Sequence, residues 1–206
     1  MLVSQIAAGP GRPRLVEQRR RGATARDEIL DAAAELFTTR GYSGTSTRMI
    51  AEAVGIRQAS LYHHFKTKDD ILEALLQDTV LAPLEQANVL LSAQGSALER
   101  LQQLARFDAG QLARSRWNLG ALYLLPELRT ERFAEFRSAR SELARIYAQL
   151  AGEVLGNQAD PRRHLPFRLV ESVISMRSDE MVGALGSDSL EDLVTMLVDS
   201  AELVLK

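Results

Sequence analysis

The sequence predicts an all-α protein of about nine helices, in which a three-helix unit near the N-terminus precedes a larger helical domain. Three observations predict it. Apolar residues recur at spacings of three and four between Gly, Pro and Ser breaks along most of the chain, which gathers them on one face of a helix. No alternation of period two persists, so no strand is expected. Ala and Leu are abundant while aromatics make up only 5% of 206 residues, a balance that favours helix.

Composition narrows the function classes. The length accommodates one large or two small domains. There is no cysteine, which excludes disulfides, thiolate metal sites and cysteine nucleophiles. No apolar run approaches the roughly 18 residues that span a bilayer. Leu2–Ala8 is too short for a signal-peptide core, and the charges follow it. The expectation is a cytoplasmic protein with no membrane partner. The net charge of −2 hides an asymmetry: residues 1–66 carry ten Lys and Arg against six Asp and Glu, and residues 67–206 carry fifteen against twenty-one. A basic N-terminal third suits a polyanion at that end only.

Residues 1–23 lack apolar periodicity and are broken by Gly9, Pro10, Gly11 and Pro13, so they read as a basic arm. Gly-Arg-Pro-Arg at 11–14 is similar to the core of an AT-hook, which lays arginines into a narrow minor groove. A solubilising tail and a DNA-contacting arm both fit. The first helix starts at Thr24, with Asp27 placed to complete a capping box. Its apolar face is Ile29, Leu30, Ala33, Leu36 and Phe37, and Gly41 ends it. The second starts among Thr45, Ser46 and Thr47, buries Ile50, Ala51 and Val54, and ends at Gly55, where a tight turn needs a left-handed residue. The third runs from about Gln58 to His64 and points Leu61 and Phe65 inward. Helix, glycine turn and helix at this spacing is the arrangement that places a helix in the DNA major groove.

Thr67 and Asp70 repeat the capping pattern for a fourth helix with Ile71, Leu72, Leu75 and Leu76 on its stripe, which Pro83 is expected to end or kink. Helical patterns follow over 97–125, with a break between Ser115 and Trp117, and over 130–155. Two last helices run from Pro161 or Pro166 to Leu185 and from Ser189 to Leu205, joined by a turn at Gly186–Ser189.

The run Ile29-Leu30…Ala33…Leu36-Phe37…Gly41-Tyr42…Thr45, Ile50-Ala51…Gly55-Ile56 and Leu61-Tyr62-His63-His64-Phe65…Lys68 resembles the DNA-binding domain of the tetracycline-repressor (TetR) family of bacterial transcription regulators. The resemblance covers about residues 24–76 without a gap. It implies a helix-turn-helix DNA-binding domain at 24–66 and an effector-binding and dimerisation domain at 67–206. It also implies a homodimer on a double-stranded DNA operator and a repressor released by a small, largely apolar effector. Position by position, Thr47 and Arg48 match positions that contact phosphates and sometimes a base, and Gln58, Ala59 and Ser60 match the base-reading front of the recognition helix. Gln is suited to adenine N6 and N7, Ala59 to a thymine methyl, and Ser60 to either pairing sense. Tyr62, His63 or His64, and Lys68 match phosphate clamps. Arg57 departs from the family, many members of which have a capping serine there. It is read either as a phosphate or guanine contact or as a solvated side chain.

The rest of the chain is less legible. Adjacent His63 and His64 point about 100° apart on a helix and lack a carboxylate partner, so no metal is expected. Acids and arginines intermix over 127–153, which reads as a salt-bridged surface. No nucleophile–base motif or phosphate-binding glycine loop occurs, so no enzyme activity and no cofactor are expected. Phe107, Trp117, Tyr123, Phe133, Tyr147 and Arg177 are candidates for an effector pocket, although aromatics at helical spacing also serve as core. Arg177 and Asp179 interrupt an apolar helix and are surface, dimer seam or ligand anchor. Val170, Val173, Ile174, Leu193, Leu197 and Val204 are the expected dimer interface. The alternative to a small effector is a protein partner docked on the C-terminal domain.

Overall fold

A computed structural model describes residues 21–181 and 190–206. Arg12, Arg14, Arg19 and Arg20 of the arm, and Val182, Leu185 and the Gly186–Ser189 turn, lie outside the described residues. Among the described residues there are eight α-helices and no strand: α1 (Ala25–Arg40), α2 (Thr47–Val54), α3 (Gln58–His64), α4 (Lys68–Leu91), α5 (Ala97–Arg114), α6 (Ala134–Val154), α7 (Leu165–Met181) and α8 (Leu190–Leu203). Short 3-10 turns at Leu119–Leu124, Pro126–Arg129 and Glu131–Phe133 connect α5 to α6, and another at Pro161–His164 leads into α7. The all-α expectation holds, and the 3-10 turns occupy stretches that periodicity alone had joined to the neighbouring helices.

Local chemistry explains the boundaries. Thr24 with Asp27 and Thr67 with Asp70 form the two expected capping boxes, and Ser96 with Glu99 forms a third at α5. Each satisfies two N–H groups that the first helical turn leaves open. Of the three hydroxyls before α2, Ser46 caps, accepting from Met49 N at 3.2 Å. Thr45 turns inward instead and donates to the Gly41 carbonyl at 2.9 Å. Gly55 closes α2 at φ 80° and ψ 29°, its N–H reaching the Ala51 and Glu52 carbonyls; a β-carbon there would be strained.

Pro83 does not end α4, which continues to Leu91. A proline removes the hydrogen bond to the carbonyl four residues earlier, here that of Thr79. Gln111 of α5 supplies a replacement, its Nε2 donating to Thr79 O at 3.2 Å and to Asp78 O at 3.3 Å. A neighbouring helix has repaired the break, which local sequence rules do not anticipate.

The buried residues divide into two cores. The first gathers the apolar faces of α1, α2 and α3 with Ile71, Leu72, Leu75, Leu76 and Val80 of α4, and it also takes Leu122, Leu128, Phe133 and Phe136. The second lies between α5, α6, α7 and α8 and the C-terminal half of α4. A boundary at residue 66 therefore does not separate the cores: α4 belongs to both, and the 3-10 segments before α6 pack under the helix-turn-helix unit.

Candidate nucleic-acid interface and the groove behind it

α3 is seven residues long and is held by Leu61 and by Phe65 at its C-terminus, both buried. Anchoring one face fixes the other: Gln58, Ala59, Ser60, Tyr62, His63 and His64 are all exposed. No side chain caps its start, where Arg57 stands at the N-cap position, exposed and without a capping bond. Three of the predicted residues converge across the turn. Gln58 Nε2 donates to Thr47 Oγ1 at 3.0 Å and reaches Tyr62 OH at 3.4 Å, and Thr47 Oγ1 lies 3.0 Å from Tyr62 OH. This polar platform ties the start of α2 to the front of α3. Its bonds are all to water-exposed groups, so they exchange readily for a base edge or a phosphate oxygen.

The cations around it differ in how free they are. Arg48 Nε meets Glu52 Oε1 at 2.9 Å, with both side chains mostly exposed, a pair weak enough for a phosphate to displace. Lys68 has a second use. Its Nζ donates to Tyr42 O at 2.9 Å and Thr45 O at 3.0 Å and sits 4.0 Å from the centre of the Tyr42 ring. It thereby pins the turn between α1 and α2, leaving one N–H for a phosphate. The Tyr42 hydroxyl in turn donates to Asp69, and burial followed by that carboxylate holds the phenol well above its usual range. Lys66, which the sequence reading passed over, is exposed between α3 and α4; its position directly after the recognition helix was the available signal.

Behind this unit, α4, α5, α7 and the turn after α5 enclose an open groove of about 540 Å³. Of the predicted effector-site residues, Phe107, Trp117 and Arg177 line it, together with Gln111 and Asn118. Tyr123 lines instead a smaller cleft of about 260 Å³ with Arg137 and Arg140, and donates its hydroxyl to Thr79 Oγ1 at 2.7 Å. Phe133 and Tyr147 do not line the groove: they are fully buried, one in each core. Tyr147 OH donates to Asp108 Oδ2 at 3.1 Å. Burial pushes the Asp108 carboxyl up to about 7, against the opposing effect of that hydrogen bond. The void at the centre of the helices, between Thr79, Asp108, Tyr123 and Arg140, is only about 10 Å³.

Three of the six residues expected at a dimer interface are core of a single protomer. Val170, Val173 and Leu197 are at most 2% exposed in the isolated chain, and a side chain already out of water has no surface left to bury against a partner. Ile174 leans on Gly120, where a β-carbon would come within 2.4 Å of it. Leu193 and Val204 remain partly exposed. Among the described residues, the most exposed large apolar side chains on these helices are Leu165 on α7 and Met196 and Leu203 on α8. Helical periodicity located apolar faces correctly but could not say which faced inward and which outward on helices apolar on two sides.

Comparison with known proteins agrees with this geometry. The family model for bacterial regulatory proteins, tetR family, matches residues 29–75. The HTH-type transcriptional repressor KstR2 of Mycolicibacterium smegmatis is 40% identical over 89 residues, which is 42% of this chain and 43% of that repressor. The match thus spans less than half the length of that curated relative. A solved structure, AmtR of Mycobacterium smegmatis, is 56% identical, covering 92% of this chain and 89% of its own with a TM-score of 0.84. The fold also matches AibR, solved with isovaleryl coenzyme A and operator DNA, at a TM-score of 0.67 and 20% identity, covering 85% of this chain and 96% of that one. No helix among the described residues is long and apolar enough to cross a membrane. With the helix-turn-helix geometry matching the family model and 56% identity extending over nearly the whole chain, the protein belongs to the TetR family of bacterial regulatory proteins and is a DNA-binding regulator of transcription, not an enzyme.

Proposed function

We propose that the protein is a homodimeric transcriptional repressor. Residues 24–66 read a near-palindromic operator, and residues 67–206 bind an effector and dimerise. Two α3 helices enter successive major grooves about 34–36 Å apart. Gln58, Ala59 and Ser60 face the bases, while Thr47, Arg48, Arg57, Tyr62, His63, His64 and Lys68 face the backbone. The exposed polar platform of Gln58, Thr47 and Tyr62 on a rigidly anchored α3 carries this reading, and the curated relative named as a repressor supports the sign of the regulation. The effector is a small, largely apolar molecule seated in the groove of Phe107, Trp117 and Arg177, whose volume falls in the ordinary range for a ligand site. It acts by favouring a conformation that does not fit the operator.

A second reading, a protein partner in place of a small effector, is favoured by one observation: the cleft among Thr79, Asp108, Tyr123 and Arg140, behind the groove, holds only about 10 Å³. Selection of bound fragments from genomic DNA, followed by salt titrations on the selected and scrambled duplexes, tests the regulator. A preference of about 10³ or more for the selected site is expected, and equal affinity for both would overturn the operator reading. Screening small apolar acids and amides for release of that duplex then separates the two kinds of effector.

A further inference from the structure

The turn between α5 and the 3-10 segment at Leu119–Leu124 is gripped from two sides. From α1, Asp31 Oδ1 accepts from Arg116 Nη1 at 2.7 Å and from Trp117 Nε1 at 3.1 Å, and the Arg116 guanidinium lies 4.6 Å from the Trp117 ring centre. From α7, Arg177 donates to the Leu112 and Ser115 carbonyls at 2.5 Å each. Asn118 Nδ2 donates to Ile174 O at 2.8 Å and to Ser178 Oγ at 2.9 Å. The two grips fall on adjacent residues, 117 and 118, so a shift at one is carried by a single peptide link to the other. Just beyond, Gly120 lies so close against Ile174 that a β-carbon would come within 2.4 Å of that side chain, which leaves the segment little room to yield towards α7. The same turn is one wall of the groove, to which Ser115, Trp117, Asn118 and Arg177 all contribute.

We propose that Ser115–Asn118 is a transmission element and that Asp31 is its positioning residue on the DNA-binding unit. Whatever displaces Trp117 pulls on Asp31, whose side chain is only 13% exposed. α1 carries that residue on the helix that packs Ile29, Ala33 and Phe37 into the core shared with α2 and α3. Movement of α1 therefore re-aims the recognition helix through the core that α1, α2, α3 and the start of α4 share. The element rests on the proposed effector site only for what drives it, since linkage requires that operator binding act back on Trp117 whatever the effector is.

Trp117 is the only tryptophan of the chain, so tryptophan emission reports this turn alone. The test is quenching by acrylamide on the full chain, free, saturated with the selected operator duplex, and mixed with a scrambled duplex of equal length. Expected is a quenching constant that changes about twofold or more on the operator and not on the scrambled duplex. The change should shrink by more than half in Asp31→Ala and in Arg116→Ala. Arg116 is about half exposed, so the second variant keeps the test open if the first does not fold. Equal quenching with and without operator overturns the proposal, as does an undiminished change in the folded variants. If no small molecule ever reaches the groove, the effector reading fails while the DNA-driven change at Trp117 stands.

Discussion

Gln111 of α5 donates from its side-chain amide to the carbonyl of Thr79, the group that Pro83 deprives of its helical partner. A carbonyl left open in a partly buried position costs about 1–2 kcal/mol. Gln111→Leu should therefore lower the denaturation free energy by that amount. In a Pro83→Ala background, where the main chain regains an N–H for Thr79, the same change should cost less than half as much. Urea unfolding of the four proteins checks it, and equal costs in the two backgrounds would mean that the amide does not repair α4.

Gln58 is bonded to Thr47 and Tyr62 rather than extended into solvent. Gln58→Ala should relax base preference at one operator position, a loss of about 1–3 kcal/mol of discrimination. Tyr62→Phe should weaken specific and random duplexes alike, because the hydroxyl it removes faces the DNA backbone in the proposed complex and reads no base. Competition binding across single-base operator variants distinguishes them. An unaltered preference in Gln58→Ala would remove it from the reading surface.

Lys68→Met keeps the aliphatic stem and removes three N–H donors. Two of these hold the Tyr42 and Thr45 carbonyls, so a loss of about 1–3 kcal/mol of stability is expected. The third is placed for phosphate, so the slope of log affinity against log salt should fall by about 1. A stability loss with the slope unchanged would confine Lys68 to the turn between α1 and α2.

Asp108 makes stability depend on pH in a sense opposite to that of a surface carboxylate. Its folded value, about 7, lies above the ordinary 3.8. Below both values the carboxyl is protonated in either state and costs nothing. As pH rises from about 4 to about 7 the unfolded chain loses the proton and the folded one retains it, so stability falls, levelling off above about 7. Asp108→Asn should keep an acceptor for Tyr147 and gain on the order of 2–4 kcal/mol relative to wild type at pH 8, and nothing at pH 3. Denaturation at the two pH values measures the difference. A gain equal at both would assign the effect to packing.

Dimerisation through the outer faces of α7 and α8 predicts that Met196→Glu, at a position 47% exposed in the protomer, leaves helicity unchanged. It should shift the mass seen by light scattering towards the monomer, because a charge buried without a partner opposes association. Val173→Glu, by contrast, should unfold the protomer, since Val173 is fully buried within it. A Met196→Glu protein that stays dimeric would place the interface elsewhere.

The helix-turn-helix unit was legible because everything that defines it is local. The capping pairs at Thr24 and Thr67, the left-handed Gly55, and the alternation of buried Leu61 and Phe65 with exposed Gln58 and Tyr62 all act within a few residues, where propensity and periodicity carry the signal. Phe107 and Trp117 are pocket candidates as aromatics and Arg177 as a charge within an apolar helix, and all three line the groove. The same reasoning placed Phe133 and Tyr147 there, because a buried aromatic in a core and one beside a cavity have the same helical spacing.

An all-α chain, the basic N-terminal third and the recognition helix are written in short-range pattern and composition, and the family in the resemblance carried by residues 24–76. The tertiary structure decided whether Lys68 faces only DNA or also the α1–α2 turn, and whether Val170 and Val173 face a partner or their own core. It also decided that α4 survives Pro83, and that Trp117 meets Asp31 across 86 residues of chain. These outcomes depend on which helix packs against which. That packing is set by the summed burial of many side chains, a long-range property that no window of the sequence contains.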